Sequence, residues 1–464
     1  MNDSRRMSDA EALLWRLEKD PYLSSTFGTV SILDRAPDAD RLRARLDQAV
    51  LHVPRLRWRV QPGASDFGAP VWADDPDFDV DSHVRRIALP KPGNMRQLLD
   101  LATLLVLDPF DRTRPLWQFV IIEGLRGGKA ALLTKMHHTI TDGEGGVRMS
   151  MQYLDLERDA TASLAGATPT PRPDDESPSP GDSPLGGVRS FLESSARLPL
   201  SVMKQVRELL ADPASIPHAS AAAVDTVRSI VAQLSDSDAA RSPLWTERSM
   251  RRRVEVARVP LAVTKDAACR LGGTLNTAFI TAAAEAAARY HAEHDAPVDE
   301  LRASMAISMR HGGDSAAANS FSLARMLVPT GDMPIGERFT RISDIAATAR
   351  AVIASASLEH LATLTSALPT SFVTRLARQQ AQTVDFATSN VRGAPVPVYI
   401  AGAKLTENYA IGPLAGVAFN MTMLSYDGSL DVGINTDAAA VDDPARLAKL
   451  VEQAFRRLHR AARI

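Results

Sequence analysis

Two apolar segments joined by a pair of glycines constrain the fold of this chain more than any other feature. Residues Pro115–Glu123 are dense in aromatic and β-branched side chains, and Gly127-Gly128 leads directly into the apolar run Ala130–Leu133. Aromatic and β-branched residues favour strands, and a short glycine turn between two such runs is typical of a β-hairpin. We therefore predict a hairpin whose second strand delivers His137-His138 at its end.

A short polar turn follows that strand, with the sequence His137-His138-Thr139-Ile140-Thr141-Asp142-Gly143, and helical spacing resumes after it. Neighbouring side chains on a strand point to opposite faces, so one histidine faces a cavity while the other packs or hydrogen-bonds within the protein. An imidazole with a pKa near 6.5 is suited to removing a hydroxyl proton at neutral pH. Asp142 could orient an imidazole or clamp the turn by pairing with an arginine, and Gly143 would leave the backbone unobstructed. By residues alone, an incidental His-His pair at a strand end explains the pattern equally well.

Composition excludes several classes of function. The formal net charge of −2 offers no basic face, so we expect no nucleic-acid partner. Cys269 is the single cysteine, which rules out a disulfide framework and a cysteine-based metal site. Adjacent strand histidines are also a poor chelating pair, so we predict no metal site. The first residues lack the apolar core of a signal peptide and no window suits a bilayer span, so we expect a cytoplasmic protein with at most peripheral membrane contact.

The length of 464 residues indicates more than one core. Six prolines between Pro169 and Pro184, interleaved with Ser, Asp and Thr, indicate a linker. We predict an N-terminal domain over residues 1–160, a linker with connecting helices over 161–243 and a C-terminal domain over 244–464. Sequential hairpins with interspersed helices favour a mixed α/β class over a purely parallel sheet.

Four further expectations concern elements beyond the hairpin. Ser8 and Glu11 have the spacing of a capping box before a short helix, and Met95–Leu107 reads as an amphipathic helix. The segments Val398–Ala401, Gly416–Tyr426 and Leu430–Asn435 look like one antiparallel set. Phe191–Leu210 reads as an amphipathic helix, for which packing on the protein itself is favoured over a lipid surface.

The turn after the hairpin fits the HHxxxDG signature of the CoA-dependent acyltransferase superfamily, which includes chloramphenicol acetyltransferase and condensation domains. More closely, the chain resembles the bacterial wax ester synthase/diacylglycerol acyltransferase family over nearly its full length. The other pieces that carry the resemblance are Met7-Ser8-Asp9-Ala10-Glu11, Pro115-Leu116-Trp117, Asn276, Ser308-Met309-Arg310, Ser389-Asn390-Val391-Arg392-Gly393, Ser425-Tyr426-Asp427-Gly428 and Asp437.

The resemblance implies two chloramphenicol acetyltransferase-like domains in a pseudo-dimer, with a tunnel between them and the motif at its centre. It implies transfer of a long-chain acyl group from acyl-CoA to a fatty alcohol or a diacylglycerol. His138 would be the general base and His137 would orient it, without an acyl-enzyme and without a cofactor other than acyl-CoA as co-substrate. Acylation of another hydroxyl, or a catalytically weak acyl-CoA- or lipid-binding relative, are the alternatives. Peripheral contact with a membrane or a lipid droplet is expected.

The resemblance also assigns supporting roles, with Asp142 as a structural clamp tied to an arginine, either Arg57 or Arg310. Asn276 would lie near the tunnel, with an ordinary N-cap-like role as an equal alternative. The family carries Asn-Asp at this point, whereas this chain has Thr277 after Asn276, which leaves the level of activity open.

Four further residues are expected to bind substrate. Ser389 and Asn390 would donate hydrogen bonds to the oxyanion or the acyl carbonyl, with a turn role before Gly393 as the alternative. Ser308 and Arg310, at a predicted strand end, either face the site or form salt bridges.

Overall fold

A computed structural model of the chain describes residues 5–62, 70–160, 240–308, 321–353 and 370–463. Most of the predicted linker, the predicted Phe191–Leu210 helix and Arg310 lie outside these residues.

Helices begin where the sequence supplies a cap. Ser8 and Glu11 form the predicted capping box, in which each side chain accepts a hydrogen bond from the other residue's backbone N–H, and Asn94 with Gln97 repeats it. The described helices are α1 (Asp9–Leu17), α2 (Ala39–His52), α3 (Met95–Leu107), α4 (Gly143–Ser150), α5 (Leu261–Arg270), α6 (Leu275–Glu293), α7 (Ile335–Ile353), α8 (Thr370–Ala381) and α9 (Pro444–Ala461).

Two six-stranded mixed sheets and a small ribbon form the framework of the described residues. The strands are β1 (Thr26–Leu33), β2 (Trp58–Gln61), β3 (Val71–Asp74), β4 (Val84–Ala88), β5 (Trp117–Leu125), β6 (Lys129–His137), β7 (Arg252–Pro260), β8 (Glu300–Ser308), β9 (Phe321–Pro329), β10 (Phe386–Arg392), β11 (Tyr399–Ile400), β12 (Ala403–Ile411), β13 (Phe419–Tyr426) and β14 (Ser429–Asp437). The first sheet has the order β11-β12-β1-β6-β5-β4 and the second the order β7-β14-β13-β10-β8-β9, while β2 pairs with β3.

Four neighbouring strands follow the same plan in both sheets. In the first, β5 and β6 form the predicted antiparallel hairpin, β1 lies antiparallel to β6, and β4 lies parallel to β5. In the second, β13 and β14 form the hairpin, β7 lies antiparallel to β14, and β10 lies parallel to β13. The mixed α/β class with two related sheets is therefore confirmed.

The segment Val398–Ala401 departs from the predicted pairing. It contains β11, which forms a short hairpin with β12, a strand that was not predicted. This hairpin belongs to the first sheet instead of joining β13 and β14, and β12 pairs there with β1. The strand also passes close to β14, and a Cβ on Gly433 would lie 1.9 Å from the Ala410 carbonyl oxygen. Only glycine permits this approach of two backbones. The two sheets are thus joined through β12 as well as through the chain order.

Helix α3 packs between the halves. Its buried face, with Leu98, Leu99 and Ala102, contacts the first sheet and shares one apolar cluster with Val254 of β7 and Tyr409 of β12. A separate core covers the second sheet under α6, α7 and α9. Among the helices of the described ranges, none combines the length and apolar character needed to cross a bilayer.

Candidate active site

The end of β6 and the turn after it are fixed by backbone hydrogen bonds. His137 N–H donates to the Leu116 carbonyl at 3.0 Å, and His138 N–H donates to the Ser25 carbonyl at 3.1 Å. Ile140 N–H then donates to the His137 carbonyl at 2.9 Å, which closes the turn. Since Leu116 and Ser25 precede the strands on the two sides of β6, the histidine pair sits on a rigid part of the sheet.

His137 is buried and its ring is held at both nitrogens. Its Nε2 lies 2.9 Å from Glu18 Oε2, and its Nδ1 lies 2.8 Å from the Thr139 hydroxyl. Thr139 N–H also donates to Nδ1 at 3.1 Å. Because Nδ1 accepts, Nε2 carries the proton that is donated to Glu18. His137 is therefore an oriented side chain within the protein, as the alternation argument predicted.

Glu18, which follows α1, is the partner that the sequence did not reveal. Its carboxylate also accepts from the Ser24 hydroxyl at 2.7 Å and from Ser25 N–H at 2.8 Å. Burial by itself would raise the pKa of Glu18, but the hydrogen bond from His137 and its electrostatic attraction, with the hydrogen bonds from Ser24 and Ser25, lower that pKa to about 2. Glu18 stays ionised at every pH at which the protein could work.

His138 occupies a different environment from its neighbour. It is half-buried, and its ring lies against Phe27, with ring centroids 4.6 Å apart. Burial, together with the nearby His137 ring, lowers the pKa of His138 to about 4, although Asp142, the Thr141 backbone and Glu18 act in the opposite direction. At neutral pH the imidazole is unprotonated and able to accept a proton.

Asp142 caps helix α4. Its side chain accepts from Gly145 N–H at 2.7 Å, which places it at the N-cap. Of the two arginines expected to pair with it, Arg57 lies near Asp74, with Nε 3.9 Å from Oδ1, and Arg310 is outside the described residues. The carboxylate thus fixes the start of the helix that leaves the turn, while its pairing with an arginine stays a prediction.

Gly143 is the point at which the second half of the chain approaches the turn closely. A Cβ at this position would lie 3.0 Å from Val391 Cγ2, so β10 approaches α4 closely. Ser389 lies two residues before Val391 and shares its face of the strand, whereas Asn390 points to the opposite face and is exposed. The structure thus separates Ser389 from Asn390, which the sequence treated together.

Asn276 is half-buried in the first turn of α6, and its Nδ2 lies 2.9 Å from Met305 Sδ on β8. The N-cap of α6 is Thr274, whose hydroxyl accepts from Thr277 N–H at 3.2 Å. The N-cap-like role considered for Asn276 is therefore wrong, because Thr274 is the cap and Thr277 donates the backbone N–H bonded to it. Ser308 ends β8, with its backbone paired to Phe321.

A second support for the turn comes from α1. The Arg55 guanidinium is paired with the buried carboxylate of Glu11 and donates to the Thr139 carbonyl at 3.1 Å. Glu11 was recognised in sequence only as a capping residue. Glu11 and Glu18 both support the turn through residues that are far away in the sequence. Glu18 and His137, for example, are 119 residues apart, and local sequence patterns cannot reveal such a pair.

A cleft of about 160 Å³ opens between the two halves on the Glu18 side of His137. Its wall is mostly apolar, and Glu18, Ser24 and Thr26 form the part nearest the histidine pair. The lining residues are Glu18, Pro21, Tyr22, Ser24, Thr26, Thr103, Val106, Leu107, Asp108, Pro109, Met250, Arg252, Val254, Ile411, Pro413, Leu414, Ala415 and Asn435. Across the residues that the structure describes, no group of three His, Cys, Asp or Glu side chains could hold a metal ion.

Comparison with known protein families gives two matches. Residues 7–279 match the wax ester synthase/diacylglycerol acyltransferase catalytic domain, and residues 317–459 match the C-terminal domain of the same family.

Individual relatives agree with this family. A Mycobacterium tuberculosis protein named "putative diacylglycerol O-acyltransferase" is 33% identical over 98% of this chain and 92% of its own. Among solved structures, the wax ester synthase/diacylglycerol acyltransferase from Marinobacter aquaeolei VT8 has a TM-score of 0.66 at 22% identity, covering 99% of this chain and 100% of the other. The starter condensation domain of rhizomide synthetase, solved with C8-CoA, has a TM-score of 0.57 at 13% identity, covering 99% and 95%.

Proposed function

The chain belongs to the wax ester synthase/diacylglycerol acyltransferase family, and we propose that it transfers a long-chain acyl group from acyl-CoA to a fatty alcohol or a diacylglycerol. The products are a wax ester or a triacylglycerol, and free CoA. One observation carries the proposal most directly: His138 is unprotonated at neutral pH and stands on a rigid turn whose other histidine is fully engaged.

In the proposed reaction, His138 accepts the proton of the acceptor hydroxyl while the oxygen attacks the thioester carbonyl. A tetrahedral oxyanion forms and collapses, the carbon–sulfur bond breaks, and the CoA sulfur takes the proton from His138. Acyl-CoA is a co-substrate and no further cofactor takes part. Cys269, the single cysteine of the chain, is exposed on α5, which supports direct transfer without an acyl-enzyme.

Ser389 is the better candidate for a donor to the oxyanion. It is half-buried and shares the face of β10 on which Val391 approaches Gly143. A hydroxyl there would donate to developing negative charge in a site partly shielded from water. Asn390, exposed on the opposite face, suits this role less well.

The apolar cleft is the proposed place for part of a lipid chain. Its wall carries Val106, Leu107 and Leu414, while Glu18 lies at the end nearest the histidines. Leu107 and Met250 of the cleft wall are partly exposed, and we take them, with exposed Leu104 one turn before Leu107 on α3, as the apolar rim of the cleft. We assign peripheral contact with a membrane or lipid droplet to this rim, through which a lipophilic acceptor would enter.

The test is product analysis. Purified protein is incubated with palmitoyl-CoA and, separately, hexadecanol, dioleoylglycerol, a short alcohol and a sugar, and the products are identified by mass spectrometry. We expect esters of the first two acceptors and none from His138→Ala. His52→Ala, which changes an exposed histidine at the end of α2, is the matched control and should match wild type.

Other outcomes would replace the proposal. Esters from the short alcohol or sugar alone would assign another hydroxyl acceptor. Acyl-CoA binding without turnover on any acceptor would make the protein a binding relative. Equal CoA release by His138→Ala and wild type would remove the base from the mechanism.

A further inference from the structure

Glu18 makes three hydrogen bonds that converge on the histidine pair. One oxygen, Oε2, accepts from both His137 Nε2 at 2.9 Å and Ser25 N–H at 2.8 Å. The other, Oε1, accepts from the Ser24 hydroxyl at 2.7 Å. The side chain is 17% exposed and lies in the wall of the cleft. An ionised carboxylate with this many donors has one well-defined position.

Two routes lead from this carboxylate to His138. The first runs through the His137 ring, whose orientation is fixed between Glu18 and Thr139. The second runs through Ser25, because Glu18 holds the Ser25 N–H and the Ser25 carbonyl accepts from His138 N–H at 3.1 Å. Moving Glu18 would therefore move both the side chain next to the base and the backbone that carries the base.

We propose that Glu18 is a positioning residue for the acyl transfer, holding His137 and Ser25 so that His138 meets the acceptor hydroxyl in a productive geometry. This inference rests on the proposed role of His138 as the base. Glu18 need not touch a reacting atom. Its effect is geometric, and a displacement of about 1 Å at a catalytic group can lower the rate about 100-fold.

Two substitutions of Glu18 distinguish an effect on the position of His138 from an effect on folding. Glu18→Ala removes all three bonds. Glu18→Gln keeps them, since its amide oxygen can accept from His137 and Ser25 while its amide nitrogen donates to the Ser24 hydroxyl, which can also accept. Steady-state kinetics with palmitoyl-CoA and hexadecanol, and thermal unfolding, are measured for both, with Glu337→Ala on an exposed ion pair of α7 as control.

We expect kcat of Glu18→Ala to fall about 100-fold, with KM for both substrates within about threefold of wild type. The kcat of Glu18→Gln should be at least tenfold higher than the kcat of Glu18→Ala. In the double variant Glu18→Ala/His137→Ala, kcat should fall by much less than the product of the two single reductions, because both changes remove the same Glu18–His137 interaction.

The outcomes that overturn the inference are distinct from those that overturn the reaction. If His138→Ala is inactive while Glu18→Ala keeps kcat within twofold of wild type, Glu18 does not position the base. A positioning role is equally excluded if the activity of Glu18→Ala falls only in proportion to its folded fraction, or if Glu18→Gln recovers nothing. If His138→Ala is fully active, the proposed function itself fails, whatever Glu18 does.

Discussion

The same strand–turn–helix unit occurs twice in this molecule, once after β6 and once after β14. In the first, His138 N–H donates to the Ser25 carbonyl at 3.1 Å, and in the second, Ala438 N–H donates to the Arg251 carbonyl at 2.9 Å. Both accepting residues precede the strand that flanks the hairpin. A capping aspartate then begins each helix, Asp142 for α4 and Asp443 for α9. The backbone frame is therefore common to both halves.

Side chains distinguish the two units. The last strand residue is His137 in one and Asp437 in the other, and each is tied to a charged group at or near the flanking strand, Glu18 or Arg252. The next residue is His138 in the first unit and Ala438 in the second. The first of these positions anchors the turn in both halves, whereas the second carries an imidazole in one half and only a methyl group in the other. This supports an anchoring role for His137 and a chemical role for His138.

The largest expected effect tests that division of roles. His138→Ala should lower kcat by about 100- to 10,000-fold, the range that loss of a general base produces. Ala438→Ser, at the matching position of the second unit, should stay within about twofold of wild type. CoA release from palmitoyl-CoA with hexadecanol measures both. A comparable loss from Ala438→Ser would mean that the second turn also takes part in the reaction.

Asp437→Ala should chiefly affect stability. Asp437 is buried and accepts from Ser249 N–H and Ser249 Oγ, each at 2.6 Å, and from Arg252 at 3.0 Å. Its removal leaves the buried Arg252 cation without a carboxylate, which costs about 3–5 kcal/mol of unfolding free energy. Urea denaturation provides the measurement. Asp266→Ala, in an exposed ion pair, should cost less than about 0.5 kcal/mol, and equal costs would contradict an anchoring role for Asp437.

The pH dependence of the reaction should follow the protonation of His138, in the first of the two turns. Since burial lowers the pKa of His138 to about 4, the base is unprotonated above that value and gains a proton only as the pH falls through it. We expect kcat/KM to stay level from pH 7.5 to 5.5, where a base of pKa 6.5 would lose about tenfold. The profile is measured with circular dichroism at each pH to confirm folding. An inflection near pH 6.5 would contradict the buried environment.

The smallest effect concerns Gly143, the first residue of α4, where the second unit has Pro444 at the start of α9. Gly143→Ala would place a methyl group 3.0 Å from Val391 Cγ2, at a cost of roughly 1–2 kcal/mol. The cost should shrink in a Val391→Ala background, which removes the obstacle. Gly336→Ala in α7, with no atom within 4 Å of its Cβ, should not destabilise the protein. Thermal unfolding measures all of these, and an equal cost in both backgrounds would exclude the contact as the cause.

Local patterns predicted much of this architecture. The hairpin β5–β6, the capping box at Ser8 and the helix Met95–Leu107 follow from turn residues, caps and apolar periodicity, which act over a few residues. The different surroundings of His137 and His138 agree with the predicted split of the pair, although β6 ends at His137 and His138 already lies in the turn. The pairing of the predicted strand Val398–Ala401 did not follow, because apolar alternation identifies a strand but does not identify its neighbour. Its neighbour β12 was itself not predicted. Glu18 was missed for a related reason: a carboxylate after a short helix has no local feature that marks its partner.

The placement of β12 beside β1 has a consequence for how the protein is made. Ser31 of β1 and Asn408 of β12 share a hydrogen bond across 377 residues of chain. A ribosome therefore produces the strands of the first sheet long before the strand that covers its edge, and β1 waits with an unpaired row of backbone groups. Assembly of the first sheet is complete only when nearly the whole chain has been synthesised. A nascent first half consequently exposes a strand edge that could pair with another chain until β12 covers it.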